Sequence, residues 1–151
     1  MFTAKTQIDV HNGKKAIERI SRVSDNLVGI GPFGIGLDGI LAWVPGLGEV
    51  YSVGAGAALV LQGYRARVPA SVLAQAAFLV SIRTLANIFP VLGGVIVDFF
   101  RGHRMAAKLL VRAIDDTVYI EGVPDSDHPE YLGLLARIRS GEERRRVVFL
   151  G

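Results

Sequence analysis

Apolar and charged positions change their spacing twice along this chain. From Lys14 to Leu27, the residues Ile17, Ile20, Ser24 and Leu27 recur at helical spacing with Lys and Arg opposite, which predicts an amphipathic helix. Between Asn26 and Val97 only Asp38, Glu49, Arg65, Arg67 and Arg83 are charged, and the uncharged runs 50–64, 68–82 and 84–97 predict apolar helices. Gly29 to Gly39, which contains Pro32, reads as a loop or a broken helix. Arg65-Ala66-Arg67-Val68-Pro69 reads as a basic turn between two of the apolar helices. Gly94 to Asp115 continues as a helix that turns from apolar to basic, with Phe99, Phe100 and Met105 interleaved with Arg101, Arg104 and Lys108. Beyond it, Thr117–Ile120 and Arg146–Leu150 predict short strands. Between the strands Asp127 caps a helix running to about Arg139, with Pro129 in its first turn and Glu130 completing a capping box.

A charge-poor stretch of this length needs cover that a chain of 151 residues has little else to provide, and a lipid bilayer provides it directly. The pattern therefore predicts an all-α fold of membrane-embedded helical hairpins in a two-fold internal repeat, with a small C-terminal α/β appendage. The expected organisation is an N-terminal amphipathic helix region at 1–25, an apolar helical repeat domain at 26–112 and a soluble appendage at 113–151. Met1 to Asp25 is polar and offers no short apolar core followed by a small-residue cleavage site. This predicts a membrane protein whose N-terminus and C-terminal tail are cytoplasmic. Arg65, Arg67, Arg101 and Arg104 are the basic groups expected at the membrane interface.

An antiparallel hairpin folded at Arg65–Pro69 brings together positions whose numbers sum to about 132, and so sets Glu49 level with Arg83. An ionised residue at the centre of a membrane helix costs about 2.5–3.5 kcal/mol, whereas each Leu, Ile or Val returns about 0.3–0.6 kcal/mol. The run from Val50 to Tyr64, rich in Ala and Gly, offsets barely one such charge, so Glu49 and Arg83 must pair or reach an interface. With Asp38 they form the ion-pair or ion-site candidates. Small residues recur four apart at Ser52 and Gly56, Gly54 and Ala58, Ala70 and Ala74, and Ala77 and Ser81. Such faces let backbones approach closely, against a protein partner or a second copy of the chain.

Displaced by 45 residues the chain partly matches itself, with Pro45 over Pro90, Leu47 over Leu92, Gly48 over Gly93 and Val50 over Val95. Each copy is expected to be an apolar helix, a Pro-x-x-Gly break and a second helix, with the breaks at Pro45 and Gly48 and at Pro90 and Gly93. The other reading is that Pro-x-x-Gly marks two loops of an ordinary helical bundle. Gly36-Leu37-Asp38, followed by Pro45-Gly46-Leu47-Gly48-Glu49 and by Pro90-Val91-Leu92-Gly93, resembles the domain-of-unknown-function family numbered 4112. That family has a duplicated Asp-rich, Pro-x-x-Gly-Asp pattern. The resemblance covers roughly Ser24 to Leu110, and Leu109-Leu110 fits the family's closing pair. Glu49 stands where the family has Asp, Gly94 replaces the second such Asp, Arg83 occupies another acidic position, and Asp98 lies one place from a further one. The resemblance implies an architecture and no activity. If the family's acids form a shared cation or proton site, this chain has lost half of it.

The remaining composition narrows the chemistry. There is no cysteine, so neither a disulfide framework nor a thiolate metal site is available. Charged residues make up 21% of the chain, below the roughly 25% usual in soluble domains. The net charge of +3 matters less than its placement, with one basic set before the apolar region (Lys14, Lys15, Arg19, Arg22) and one after it (Arg101, Arg104, Lys108, Arg112). Gly29-Ile30-Gly31-Pro32-Phe33-Gly34 spells the dinucleotide fingerprint, yet no strand precedes it, Pro stands inside the turn and no fitting acid follows. His11, His103 and His128 are far apart, and none neighbours an evident nucleophile. Asp125, Asp127, His128 and Glu130 are explained by helix capping rather than by a metal. No catalytic residue, metal or cofactor is expected, and the absence of any recognised motif argues against nucleic acid as partner. The expected function is a structural or accessory role without catalysis, in contact with the bilayer. One alternative is a small cation- or proton-coupled carrier using Asp38, Glu49 and Arg83 at broken helices. The other is a soluble all-helical interaction module.

Overall fold

The computed structural model describes residues 3–25, 28–30, 33–35, 47–88, 102–122 and 129–151. Within them, α1 (Gln7–Asp25), α2 (Leu47–Arg65), α3 (Ala70–Ile88) and α4 (Gly102–Asp115) form a ring in which each helix packs on the next and α4 closes on α1. Successive helices run antiparallel, the up-and-down arrangement of a four-helix bundle. Each follows from a periodic face. On α1, Val10, Gly13, Ile17 and Ser24 are buried, and on α4, His103, Ala106, Ala107, Leu110 and Ile114. α1 begins earlier than its apolar period because Thr6 and Asp9 make a reciprocal cap. The Asp9 amide donates to Thr6 Oγ1 at 3.1 Å, and the Asp9 carboxylate accepts from the amides of Lys5 (3.0 Å) and Thr6 (3.1 Å).

Between α1 and α2 the strands β1 (Val28–Ile30) and β2 (Phe33–Ile35) pair antiparallel, with Gly29 opposite Gly34. A ribbon thus stands where a loop or broken helix was expected, because Val28, Ile30, Phe33 and Ile35 alternate with glycine at the strand period.

The tightest packing centres on Gly63. A Cβ there would lie 2.7 Å from Leu110 and 2.9 Å from Leu73, so α2, α3 and α4 converge where one residue has no side chain. At Gly56 a Cβ would meet Val80 at 3.0 Å. These two contacts fix the α2–α3 register, joining positions whose numbers sum to 136. The hairpin is therefore shifted by about one helical turn from the register that sets Glu49 level with Arg83.

After α4 comes a β-α-β unit of β3 (Thr117–Glu121), α5 (Pro129–Ser140) and β4 (Arg146–Leu150). The strands are parallel, with Thr117 beside Arg146 and Glu121 beside Leu150, and α5 is the crossover such a pair requires. Ile120, Leu134, Val148 and Leu150 are buried, and the Tyr131 ring meets Phe149 edge-on at 5.4 Å. Two polar side chains border the sheet. Gln7 Nε2 donates to the Tyr119 carbonyl at 3.1 Å, and Arg67 Nη1 donates to the Phe149 carbonyl at 2.8 Å.

The expectation of a membrane-embedded fold is corrected by this arrangement. Among the described residues, no helix is long and apolar enough to cross a membrane. α2 and α3 have 19 residues each, about the minimum for spanning hydrocarbon, and much of each is Ala, Gly or Ser. Their inner faces find cover within the protein instead. Leu59 and Ala76 are fully buried in one core with Ile17 of α1 and Leu110 of α4. The pattern of the chain identified both amphipathic helices, left the first open between its own protein and a membrane surface, and assigned the second to the membrane. The carrier reading rested on the same membrane-embedded helices.

Candidate interaction surfaces

The α2–α3 turn is the point where the β-α-β unit and the N-terminal segment meet the bundle. Arg67 takes the left-handed conformation with φ of 55°, which reverses the chain between the helices. Three successive carbonyls are then claimed from outside the hairpin. Arg65 O accepts from the Ala4 amide at 2.7 Å, Ala66 O from the Tyr119 hydroxyl at 2.7 Å, and Arg67 O from Arg146 Nη1 at 2.6 Å. The Arg67 guanidinium donates back to the carbonyls of Phe149 and Gly151, the latter at 3.1 Å. Its Nε is buried with no partner among the described residues. Burial pushes the Tyr119 hydroxyl above the ordinary tyrosine range, which keeps it a donor.

Two grooves lie on opposite sides of the ring. Between α2 and α3 runs an apolar groove of about 550 Å³, with Gly56 buried in it and Val53, Ala57, Leu61, Tyr64 and Ala77 along it. Val50, Val53, Tyr64 and the neighbouring Phe78 are 72%, 57%, 53% and 62% exposed, and no acid or base occurs in 50–64 or 68–82. The small-residue pairs divide here. Ser52 and Gly56 are buried, whereas Gly54, Ala70, Ala74 and Ser81 are exposed.

Between α1 and α4 lies a groove of about 510 Å³. Arg104, Lys108 and Arg112 follow one another along α4, Arg22 faces them from α1, and Glu18 is the one acid lining it among the described residues. All five are exposed, while Ala107 is buried and Val111 half-buried between them. Arg22 of the first basic set and Arg104, Lys108 and Arg112 of the second are thus brought to one surface by the α1–α4 contact, which no local pattern announces.

Of the residues singled out from the sequence, Arg104 lines the basic groove, Arg67 holds the tail, and Arg65 ends α2 half-buried with its carbonyl on Ala4. Asp38, Pro45, Pro90, Gly93 and Arg101 lie outside the described residues, as do the side chains of Glu49 and Arg83. Gly48 falls in the first turn of α2. His103 is buried, and its Nε2 donates to the Ser52 carbonyl at 3.0 Å, tying α4 to α2. Among the described residues no three of His, Asp and Glu group as a metal site.

A family model described as Domain of unknown function (DUF4112) matches residues 14–114, from within α1 to the end of α4. The matched region spans the helical ring and leaves the β-α-β unit outside. No curated protein and no solved structure matches the chain.

Proposed function

This chain belongs to the DUF4112 family, and we propose that it is a non-catalytic helical interaction module that associates with a second copy through the charge-free α2–α3 face. The observation that carries this reading is the exposure of Val50, Val53, Tyr64 and Phe78 around one apolar groove. Contiguous exposed apolar surface on a folded protein marks a place where another surface docks. A second copy suits it best, because the face offers a charged partner nothing to pair with and meets an equally uncharged surface on its twin. A two-fold axis can set the exposed side chains of each copy, Phe78 among them, against the groove of the other. The non-catalytic part of the reading is supported by His103, whose ring is buried and committed to a backbone carbonyl.

Sedimentation equilibrium on the full chain tests this reading. A dimer is expected, and Phe78→Glu or Val53→Glu is expected to give a monomer with unchanged helix content. A parent chain that remains monomeric at high micromolar concentration, or variants that remain dimeric, would sink it.

A further inference from the structure

We propose that the α1–α4 groove, on the side of the ring away from the dimer face, receives an acidic amphipathic helix of a partner protein. Arg104, Lys108 and Arg112 are spaced four residues apart on α4, so their charges form a row with a step of about 6 Å and a length of about 12 Å. A phosphate or other compact anion engages two neighbours in such a row and leaves the third unanswered. A helix with carboxylates at the same four-residue period answers all three. Arg22 on the facing wall supplies a fourth cation, and among the described lining residues Glu18 alone opposes them.

The floor adds the second half of the recognition. Ala107 and Val111 form an apolar strip between the basic walls, recessed where an incoming helix can place apolar side chains. A flat anionic membrane would touch the exposed cations and leave that strip unfilled. Among the described residues no aromatic side chain lines the groove to give the stacking surface that single-stranded nucleic acid uses. This site uses none of the residues of the proposed dimer face, and the two readings stand or fall separately.

The test is fluorescence anisotropy of the full chain with a labelled synthetic helix carrying Glu at every fourth position and Leu on the adjoining face. The controls are a peptide of the same composition with scrambled order, inorganic pyrophosphate, and phosphatidylglycerol vesicles. The proposal expects salt-sensitive binding of the periodic peptide, weakened about tenfold or more by Lys108→Glu and by Arg112→Glu. Arg139→Glu, on exposed α5, is the control expected to leave binding unchanged. All three side chains are exposed, and a matched melting temperature for each variant keeps folding out of the comparison. Equal binding of the scrambled peptide, loss of charge-reversal sensitivity, or binding of pyrophosphate or vesicles in place of the peptide would each overturn it.

Discussion

The Arg67 side chain reaches the carbonyl of Phe149, 82 residues further along the chain, at 2.8 Å, and this bond fastens β4 to the turn between α2 and α3. One guanidinium serves two carbonyls of the tail while its own carbonyl is held by Arg146. Arg67, in an unfavourable backbone conformation, thus couples the bundle to the β-α-β unit beside the bonds that Ala66 and Gln7 make to Tyr119.

Arg67→Ala is expected to destabilise the protein by about 2–3 kcal/mol, since hydrogen bonds from a charged donor are worth more than neutral ones. Arg67→Gly should cost about 1 kcal/mol less than Arg67→Ala, because glycine accepts the left-handed conformation that alanine resists. Urea denaturation gives both values. Hydrogen exchange should show the loss first in β4.

Two glycines of α2 are expected to respond to alanine with opposite signs. At Gly63 the added methyl meets Leu73 and Leu110 below contact distance, and overpacking of this kind costs about 1–3 kcal/mol. At Gly54 nothing lies within 4 Å, so helix propensity alone decides and Gly54→Ala should stabilise by about 0.5–1 kcal/mol. Equal effects at the two positions would contradict the helix packing described for α2.

Acid should weaken the fold through two carboxylates, the half-buried Glu143 and the exposed Asp9. The Arg145 side chain, with the backbone amides of Arg145 and Arg144, holds Glu143 down from 4.5 to about 2. The amide of Lys5, then the Thr6 hydroxyl and amide, hold Asp9 below its ordinary value. A carboxylate depressed in the folded state contributes stability above its unfolded pKa and loses it as pH falls through the folded one. The Glu143 contribution is thus present above pH 4.5 and lost toward about pH 2, and solvent screening keeps it small. Glu143→Gln and Asp9→Asn should each flatten the acid limb of a melting-temperature profile without altering it at neutral pH by more than the lost bonds.

Replacing His103 with Ala should cost about 1–3 kcal/mol, from the lost donor to the Ser52 carbonyl and the space left behind. His103→Gln, which keeps a donor, should recover part of that loss. Thermal unfolding followed by circular dichroism separates the two variants.

The periodic faces of this chain were legible and their destinations were not. Ile17 and Ser24 lie on the buried face that their spacing indicates, and the strands at Thr117 and Arg146 fall where β-branched residues cluster. What covers the uncharged runs depends on the contacts of α1 and α4 with α2 and α3, made across long sequence separations. An amphipathic face looks alike whether it meets lipid or another helix. The hairpin register was equally hidden, because the close approaches that mark it rest on missing side chains at Gly56 and Gly63. Arg67 was recognisable as a basic turn residue, but its partners are backbone carbonyls, which carry no signature in a sequence.

The two side chains that border the small sheet have a consequence for how this protein meets others. Gly122 donates to the Leu150 carbonyl across the pair, so the carbonyls of Phe149 and Gly151 point from the opposite rim, where the Arg67 guanidinium covers them. Gln7 occupies the Tyr119 carbonyl on the other rim. An incoming strand finds those acceptors taken on either side, which guards the β-α-β unit against strand addition and fibrillar growth and leaves recognition to its helices.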